Sequence, residues 1–287
     1  MPNGFLNLWK PPGISSYAAV TRARRALGED RAGHGGTLDP EAQGVLPVAL
    51  GECTRLLSLV DFNPKVYRAE VEVGFLTHTG DALGRPIALS RPWVWSVEQL
   101  SWAAQWFLGE GWQVPPQVSA LKIGGRRQYD VVRQGGVVWP SPRRVTISEI
   151  RAIEPTHTGW RFDASVSSGT YVRALVRDWG YLLGTAATMT DLTRIRSGPF
   201  HSHDAVPLDG VAERGLSALR RWDAILSLPI WPLTAKEADW VRHGNGKGLA
   251  RLTPEMGPLV ALTLGQELLG ITEGPPWRYR MVFKEGI

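Results

Sequence analysis

The run GHGGTLDPEAQG over positions 33–44 restricts this chain more than any other stretch. Glycines at 33, 35, 36 and 44 permit backbone conformations closed to other residues and let the main chain lie close against a ligand. Between them stand one histidine, His34, and one aspartate, Asp39. A carboxylate in a bendable, ligand-facing loop is a candidate reactive group. The same residues also suit a helix start, with Asp39 as N-cap, Pro40 at the first helical position and Glu41 near the positive helix end. The loop's own spacing leaves both readings open.

The flanking pattern is that of an α+β chain. Residues 5–9 read as a strand ending in the turn at Pro11, Pro12 and Gly13. A helix follows from Ser15 or Ser16 to Leu27, closed by Gly28, with Val20, Ala23 and Leu27 on its inner face. A helical turn or two is expected over 54–60. Over 65–74 strict alternation sets Tyr67, Ala69, Val71 and Val73 on one face of a strand. Residues 74–92 read as loop. Ser96 and Gln99 form a capping box opening a helix to about Leu108, with Leu100, Ala103, Ala104 and Phe107 inward and Trp102 and Trp106 covering core edges.

Further on, 144–153 and 160–166 form an antiparallel strand pair, and 188–195 a strand. Between them Val172, Leu175, Val176, Trp179, Leu182 and Leu183 follow helical spacing, with Gly184 after them. Arg173 lies in that helix's first turn, off the apolar stripe. A cation is unfavourable at a helix N-terminus, so Arg173 requires a compensating anion, either a carboxylate or a phosphate. Short β-like runs begin at about Ile230. The fold expected is a mixed or antiparallel sheet flanked by helices over 1–229, with a small β-rich unit over 230–287.

Charge placement narrows the partner. The net charge is +5, and the segment 113–144 alone carries that excess: Lys122, Arg126, Arg127, Arg133, Arg143 and Arg144 face only Asp130. A basic segment bounded by Pro115, Pro116, Pro140 and Pro142 suits a finger that closes on a polyanion. Arg126 is expected to open a short helix reaching Gln134. The single cysteine, Cys53, excludes an internal disulfide and a zinc site built on paired thiolates. Neither His78 with Asp81 nor His201, His203 and Asp204 offers a convincing metal site. No apolar run approaches a bilayer span, and the first residues lack a charged segment followed by an apolar one, so the expectation is a cytoplasmic protein.

Read in order, the chain carries KPPG at 10–13, two serines at 15–16, GH at 33–34, GTLDP at 36–40, GVLP at 44–47, KVY at 65–67 and TGD at 79–81. It continues with PP at 115–116, SALK at 119–122, Tyr129, RQG at 133–135 and SGTYVR at 168–173. This series resembles the TruB family of tRNA pseudouridine synthases and covers the chain to about Phe200. The departures are small: Val132 and Cys53 stand where alanine is usual.

The resemblance implies a pseudouridine synthase fold with a thumb at about 113–144 and a PUA-like RNA-binding unit over 230–287. It implies an activity without cofactor or metal, on uridine 55 in the T loop of tRNA, by a monomer. Asp39 is then the essential carboxylate, acting at C1′ or C6 as a nucleophile or on the C2′ proton as a base, with Arg173 as its partner. Tyr67 stacks on the flipped base and His34 packs against the loop bases. Tyr171, Lys122 and Leu192 line the substrate pocket, and Arg126, Arg127, Arg133, Arg143 and Arg144 hold RNA. Two rivals remain: an RNA chaperone or assembly factor that binds without chemistry, and an aspartate-dependent hydrolase using Asp81 as second carboxylate.

Overall fold

The computed structural model describes residues 2–116, 122–123, 126–127 and 140–287. Strand β1 (Gly4–Lys10) is almost wholly buried and leads through the Pro12-Gly13 turn into α1 (Ser16–Ala26). The Ser15 hydroxyl accepts from the Ala18 amide, and Gly28, at φ +66°, ends the helix as its spacing requires. Next come β2 (Ala32–His34), β3 (Gln43–Leu50) and β4 (Lys65–Val73), the last burying Tyr67, Ala69, Val71 and Val73. The turn expected at 54–60 is a 3-10 helix, Gly51–Ser58.

The stretch expected to be loop contains a hairpin, β5 (Phe75–Thr77) with β6 (Pro86–Leu89). Helix α2 (Val97–Gln105) has the capping box at Ser96 and Gln99 but stops short of Leu108. Trp102 and Trp106 do not cover core edges. They are 55% and 70% exposed and meet edge-on, 6.2 Å apart. Strand β7 (Gly109–Gln113) follows, then β8 (Lys122–Ile123) paired with β9 (Arg126–Arg127). Arg126 therefore begins in a strand and not in a helix; the rest of that expected helix lies outside the described residues.

The second half supplies β10 (Arg143–Pro155), β11 (Gly159–Val166), α3 (Val172–Leu182) and β12 (Ala187–Ser197). Short strands β13 (Phe200–His201), β14 (Val206–Pro207) and β15 (Leu219–Arg220) complete one sheet in the order β14-β1-β3-β12-β4-β11-β10-β7. Its β1–β14 and β3–β12 contacts are parallel and the other pairs along it antiparallel. The sheet is mixed, one of the two arrangements expected. On one face α3 buries Trp179 between Trp160 and Phe162, at 5.4 and 5.0 Å between ring centres. Leu182, placed on the apolar stripe by spacing, is instead exposed where α3 ends.

The C-terminal part is a second sheet, β16 (Ile230–Pro232), β17 (Leu259–Leu264), β18 (Glu267–Glu273) and β19 (Arg278–Val282), in that order. Helix α4 (Ala235–Arg242) packs Ala238 and Val241 against Val260, Leu262 and Leu269. Ala261, Leu268, Ile271 and Phe283 share a core with Phe5, Val45, Cys53, Leu56 and Phe200 of the first unit. The two units therefore share a core and are not joined by a linker alone. Among the described residues no helix is long and apolar enough to cross a membrane.

Candidate active site

The 33–44 run is neither a helix nor a free loop. Asp39-Pro40-Glu41 forms a turn, with the Ala42 amide donating to the Asp39 carbonyl, on the way from β2 to β3. The N-cap reading of Asp39 therefore fails. The loop is held from both sides by residues near in space and distant in sequence. The Ser16 hydroxyl accepts from the Leu38 amide at 2.9 Å and donates to the Leu38 carbonyl at 3.0 Å. Fully buried Lys10 donates to the carbonyls of Pro11, Ile14 and Pro40, and the Gly13 amide also donates to Pro40. Burial pushes the Lys10 ammonium down to about 8, against the opposing pull of Glu41 and Asp39.

Behind the loop stands Arg194 on β12, fully buried, donating from Nε to the Val45 carbonyl at 2.7 Å and from a terminal nitrogen to the Gly36 carbonyl at 3.1 Å. Its other terminal nitrogen reaches the Tyr67 hydroxyl at 3.5 Å. Gly44, at φ +110°, makes this approach possible: a Cβ there would lie 2.3 Å from the Arg194 carbonyl oxygen.

So fixed, Asp39 faces Arg173. The Arg173 Nε lies 3.0 Å from Asp39 Oδ2, and a terminal nitrogen lies 3.4 Å from Asp81 Oδ2 while donating to the Thr79 carbonyl at 2.6 Å. The Arg173 side chain is 5% exposed and the Asp39 side chain 40%. The Nε–H is not aimed along the line to a carboxylate oxygen, so its contact with Asp39 is Coulombic and not a directed hydrogen bond. The anion that a cation at a helix N-terminus requires is thus supplied twice over, by Asp39 and Asp81. Asp81 is engaged as the second partner of Arg173, and the His78 ring accepts from the Arg85 amide.

Thr37, Leu38, Asp39, Tyr67, Thr170, Tyr171, Val172, Arg173 and Leu192 line a pocket of about 90 Å³. Five of the residues singled out from sequence, Asp39, Tyr67, Tyr171, Arg173 and Leu192, are brought together here from four separate segments. Tyr171 is the N-cap of α3 and has no side-chain cap of its own. Gln113 from β7 instead fixes the backbone of Tyr171 itself, its Oε1 accepting from the Tyr171 amide at 2.8 Å and its Nε2 donating to the Tyr171 carbonyl at 3.1 Å. Arg143 lies 5.7 Å from the Tyr171 ring centre.

His34 is not among the lining residues. It ends β2 opposite Val48, and its Nδ1 accepts from the Gly36 amide at 3.4 Å. Burial and the nearby Arg194 lower its pKa, so the neutral ring is favoured. Arg144 pairs with Glu110 at 2.7 Å on the exposed surface. Lys122, Arg126 and Arg127 are placed by their backbone only, and Arg133 and Tyr129 lie outside the described residues. His201 and His203 stand 5.4 Å apart, while Asp204 accepts from Asn7 and Arg220. Arg194 and Gln113 were not assigned to the site from sequence, and Asp81 was named only as the second carboxylate of the hydrolase alternative. Only Asp81 carried a signal there, in its TGD motif; the other two act on backbone atoms that no pattern exposes.

Two family models match the chain consecutively: the TruB family pseudouridylate synthase N-terminal domain over residues 24–172, and the tRNA pseudouridylate synthase B C-terminal domain over 173–224. The chain belongs to the TruB family. Among its relatives, tRNA pseudouridine synthase B of Moorella thermoacetica is 39% identical over 96% of this chain and 95% of its own. The enzyme of the same name from Gloeobacter violaceus is 43% identical over 75% and 74%. The crystal structure of a Cbf5–Nop10–Gar1 complex matches with a TM-score of 0.67 and 27% identity over 94% of this chain and 78% of that one. An H/ACA ribonucleoprotein bound to a substrate RNA matches in fold, at 0.68 and 24% identity. The boundary between the two family models falls between Val172 and Arg173. The sheet and its pocket thus draw on both matched segments, since β12 from the second is inserted between β3 and β4 of the first.

Proposed function

We propose that this TruB-family chain isomerises uridine 55 in the T loop of tRNA to pseudouridine, with Asp39 as the essential carboxylate. The reaction breaks the N1–C1′ bond, turns the uracil and joins C5 to C1′. A proton leaves C5 and one is gained at N1, so there is no net redox change. The observation that carries this reading is the pairing of Asp39 with nearly buried Arg173 on the wall of a pocket that also contains Tyr67 and Leu192. A uracil extruded from its loop at a cost of about a few kcal/mol finds there a flat phenol to stack on and a carboxylate beneath. The buried guanidinium of Arg173 gives the part-exposed carboxylate a fixed position relative to the sugar.

Three routes suit an aspartate so placed: attack on C1′, attack on C6, or removal of the C2′ proton. Tyr67, whose hydroxyl meets Arg194, is positioned to move the C5 proton. His34, neutral and beside the glycine loop, packs against the T-loop bases and fills the gap left by the flipped one. Lys122, Arg126, Arg127, Arg133, Arg143 and Arg144 hold the backbone of the T arm, the C-terminal sheet acts as a PUA-like accessory surface, and the protein works as a monomer in the cytoplasm.

The test is Asp39→Asn. This variant is expected to keep its affinity for a T-arm hairpin while pseudouridine formation, followed by carbodiimide mapping, disappears. An RNA chaperone without chemistry would show no conversion by the wild type either. Conversion by the variant would remove Asp39 from the mechanism.

A further inference from the structure

Two cations converge on Gly36. This glycine has φ +140°, and a Cβ built on it would lie 3.1 Å from the Lys65 Nζ and 3.6 Å from an Arg194 terminal nitrogen. Arg194 is fully buried, yet the three acceptors it reaches are uncharged: the carbonyls of Val45 and Gly36 and the hydroxyl of Tyr67. Among the described residues no carboxylate lies within ion-pairing distance of Arg194 or Lys65. Buried guanidinium groups are ordinarily paired, because an unpaired charge in a protein interior is costly. Lys10, by contrast, is also buried but has three carbonyl acceptors and the nearby charges of Asp39 and Glu41.

The excess positive potential is not sealed in. Lys65 is only half-buried, so its ammonium marks where this charge meets solvent. Burial and the neighbouring Arg194 push that ammonium down to about 8. Lys65 stands two residues before Tyr67 on β4 and shares its side of the strand, about 7 Å along it, beside the loop that carries Thr37 and Asp39 into the pocket. Uracil is neutral and supplies no charge to this place. The anion that arrives with a flipped nucleotide is its phosphodiester backbone.

We propose that Lys65, backed by Arg194, is a phosphate anchor that grips the RNA backbone at one of the linkages flanking the flipped uridine. The anchor rests on the reading of the pocket as the uridine site. It sets the sugar at a fixed distance from Asp39.

The experiment uses a T-arm hairpin in which each phosphate flanking the target uridine is replaced singly by a neutral methylphosphonate. Wild-type protein is expected to lose about tenfold in affinity at one linkage, the equivalent of one charge-assisted hydrogen bond. Lys65→Gln should bind the unmodified hairpin about tenfold more weakly, with the log–log salt slope reduced by about one, and should lose nothing further at that linkage. Lys65→Arg should restore the wild-type pattern. Independent, additive losses from the variant and the modified linkage would overturn the anchor, as would an unchanged salt slope. If Lys65→Gln fails to fold, the wild-type scan still decides, since indifference to every flanking methylphosphonate also overturns it. Conversion of the unmodified hairpin by wild type is followed in parallel. Conversion with indifference to the modified linkages defeats the anchor alone, whereas no conversion defeats the pocket reading beneath it.

Discussion

Arg173 illustrates how one side chain can be unfavourable locally and required globally. It places a cation in the first turn of α3, where the helix dipole opposes it, and is retained by Asp39 at 3.0 Å and Asp81 at 3.4 Å. Arg173→Met should therefore cost only about 1–3 kcal/mol of stability, because the conflict with the dipole is relieved while two partly solvated carboxylates lose their partner. Turnover should fall by far more than this, and thermal unfolding measured beside single-turnover assays separates the two effects. Asp81→Asn should leave Arg173 bound to Asp39 and the Thr79 carbonyl, giving a partial loss of rate with RNA affinity kept. Cys53 makes the opposite case. It is buried in the core shared by the two sheets, and burial together with Glu52 pushes its thiol up to about 12. The thiol stays protonated at pH 8, so iodoacetamide should label the protein only after unfolding.

At the level of elements, the decisive contact is the short parallel pairing of β3 with β12, at Gln43 with Thr193 and Gly44 with Arg194. It brings Arg194 under the glycine loop and sets Leu192 in the pocket. Gly44→Ala combines a positive φ with a methyl 2.3 Å from a carbonyl oxygen, and should destabilise the protein by about 2–5 kcal/mol. Denaturant melts of this variant, with activity falling in proportion to loop displacement, would bear this out; an unperturbed midpoint would show that the two strands need not touch. The basic segment makes a separate prediction. Charge removal at Arg126 and Arg127 should flatten the salt dependence of RNA binding by about one unit for each phosphate no longer neutralised, and an unchanged slope would mean a solvated face.

Across the whole molecule, the two sheets share one hydrophobic core. Phe283, Ile271 and Leu268 close a core that begins at Phe5 and Val45, and Arg55 ties the units by donating to the Val282 carbonyl while lying 4.7 Å from the Phe283 ring centre. Exposing each large apolar side chain costs about 1.5–3 kcal/mol. A chain ending at residue 229 should accordingly melt far below the intact protein or precipitate, although the matched family segments stop at 224. A truncation with an unaltered melting temperature would show the C-terminal sheet to be an independent unit.

The sequence alone determined what depends on local periodicity and order. The alternation of β4 and the caps of α1 and α2 were legible because each is set by neighbours a few residues away, whereas Asp39, Tyr67 and Arg173 were singled out by the order of motifs along the whole chain and not by local spacing. Tertiary structure decided that Asp39 turns into β3 and starts no helix, because Ser16, Lys10 and Gly13 outcompete a cap for the loop backbone. It decided that Trp102 and Trp106 face solvent, since α2 packs inward through Leu100, Ala103 and Ala104 and nothing among the described residues covers its other side. It alone placed Arg194 and Gln113 against backbone atoms of remote segments and brought the Lys65 ammonium beside Arg194. Such contacts depend on which segments lie side by side in the sheet, a matter of long-range packing that no local pattern encodes.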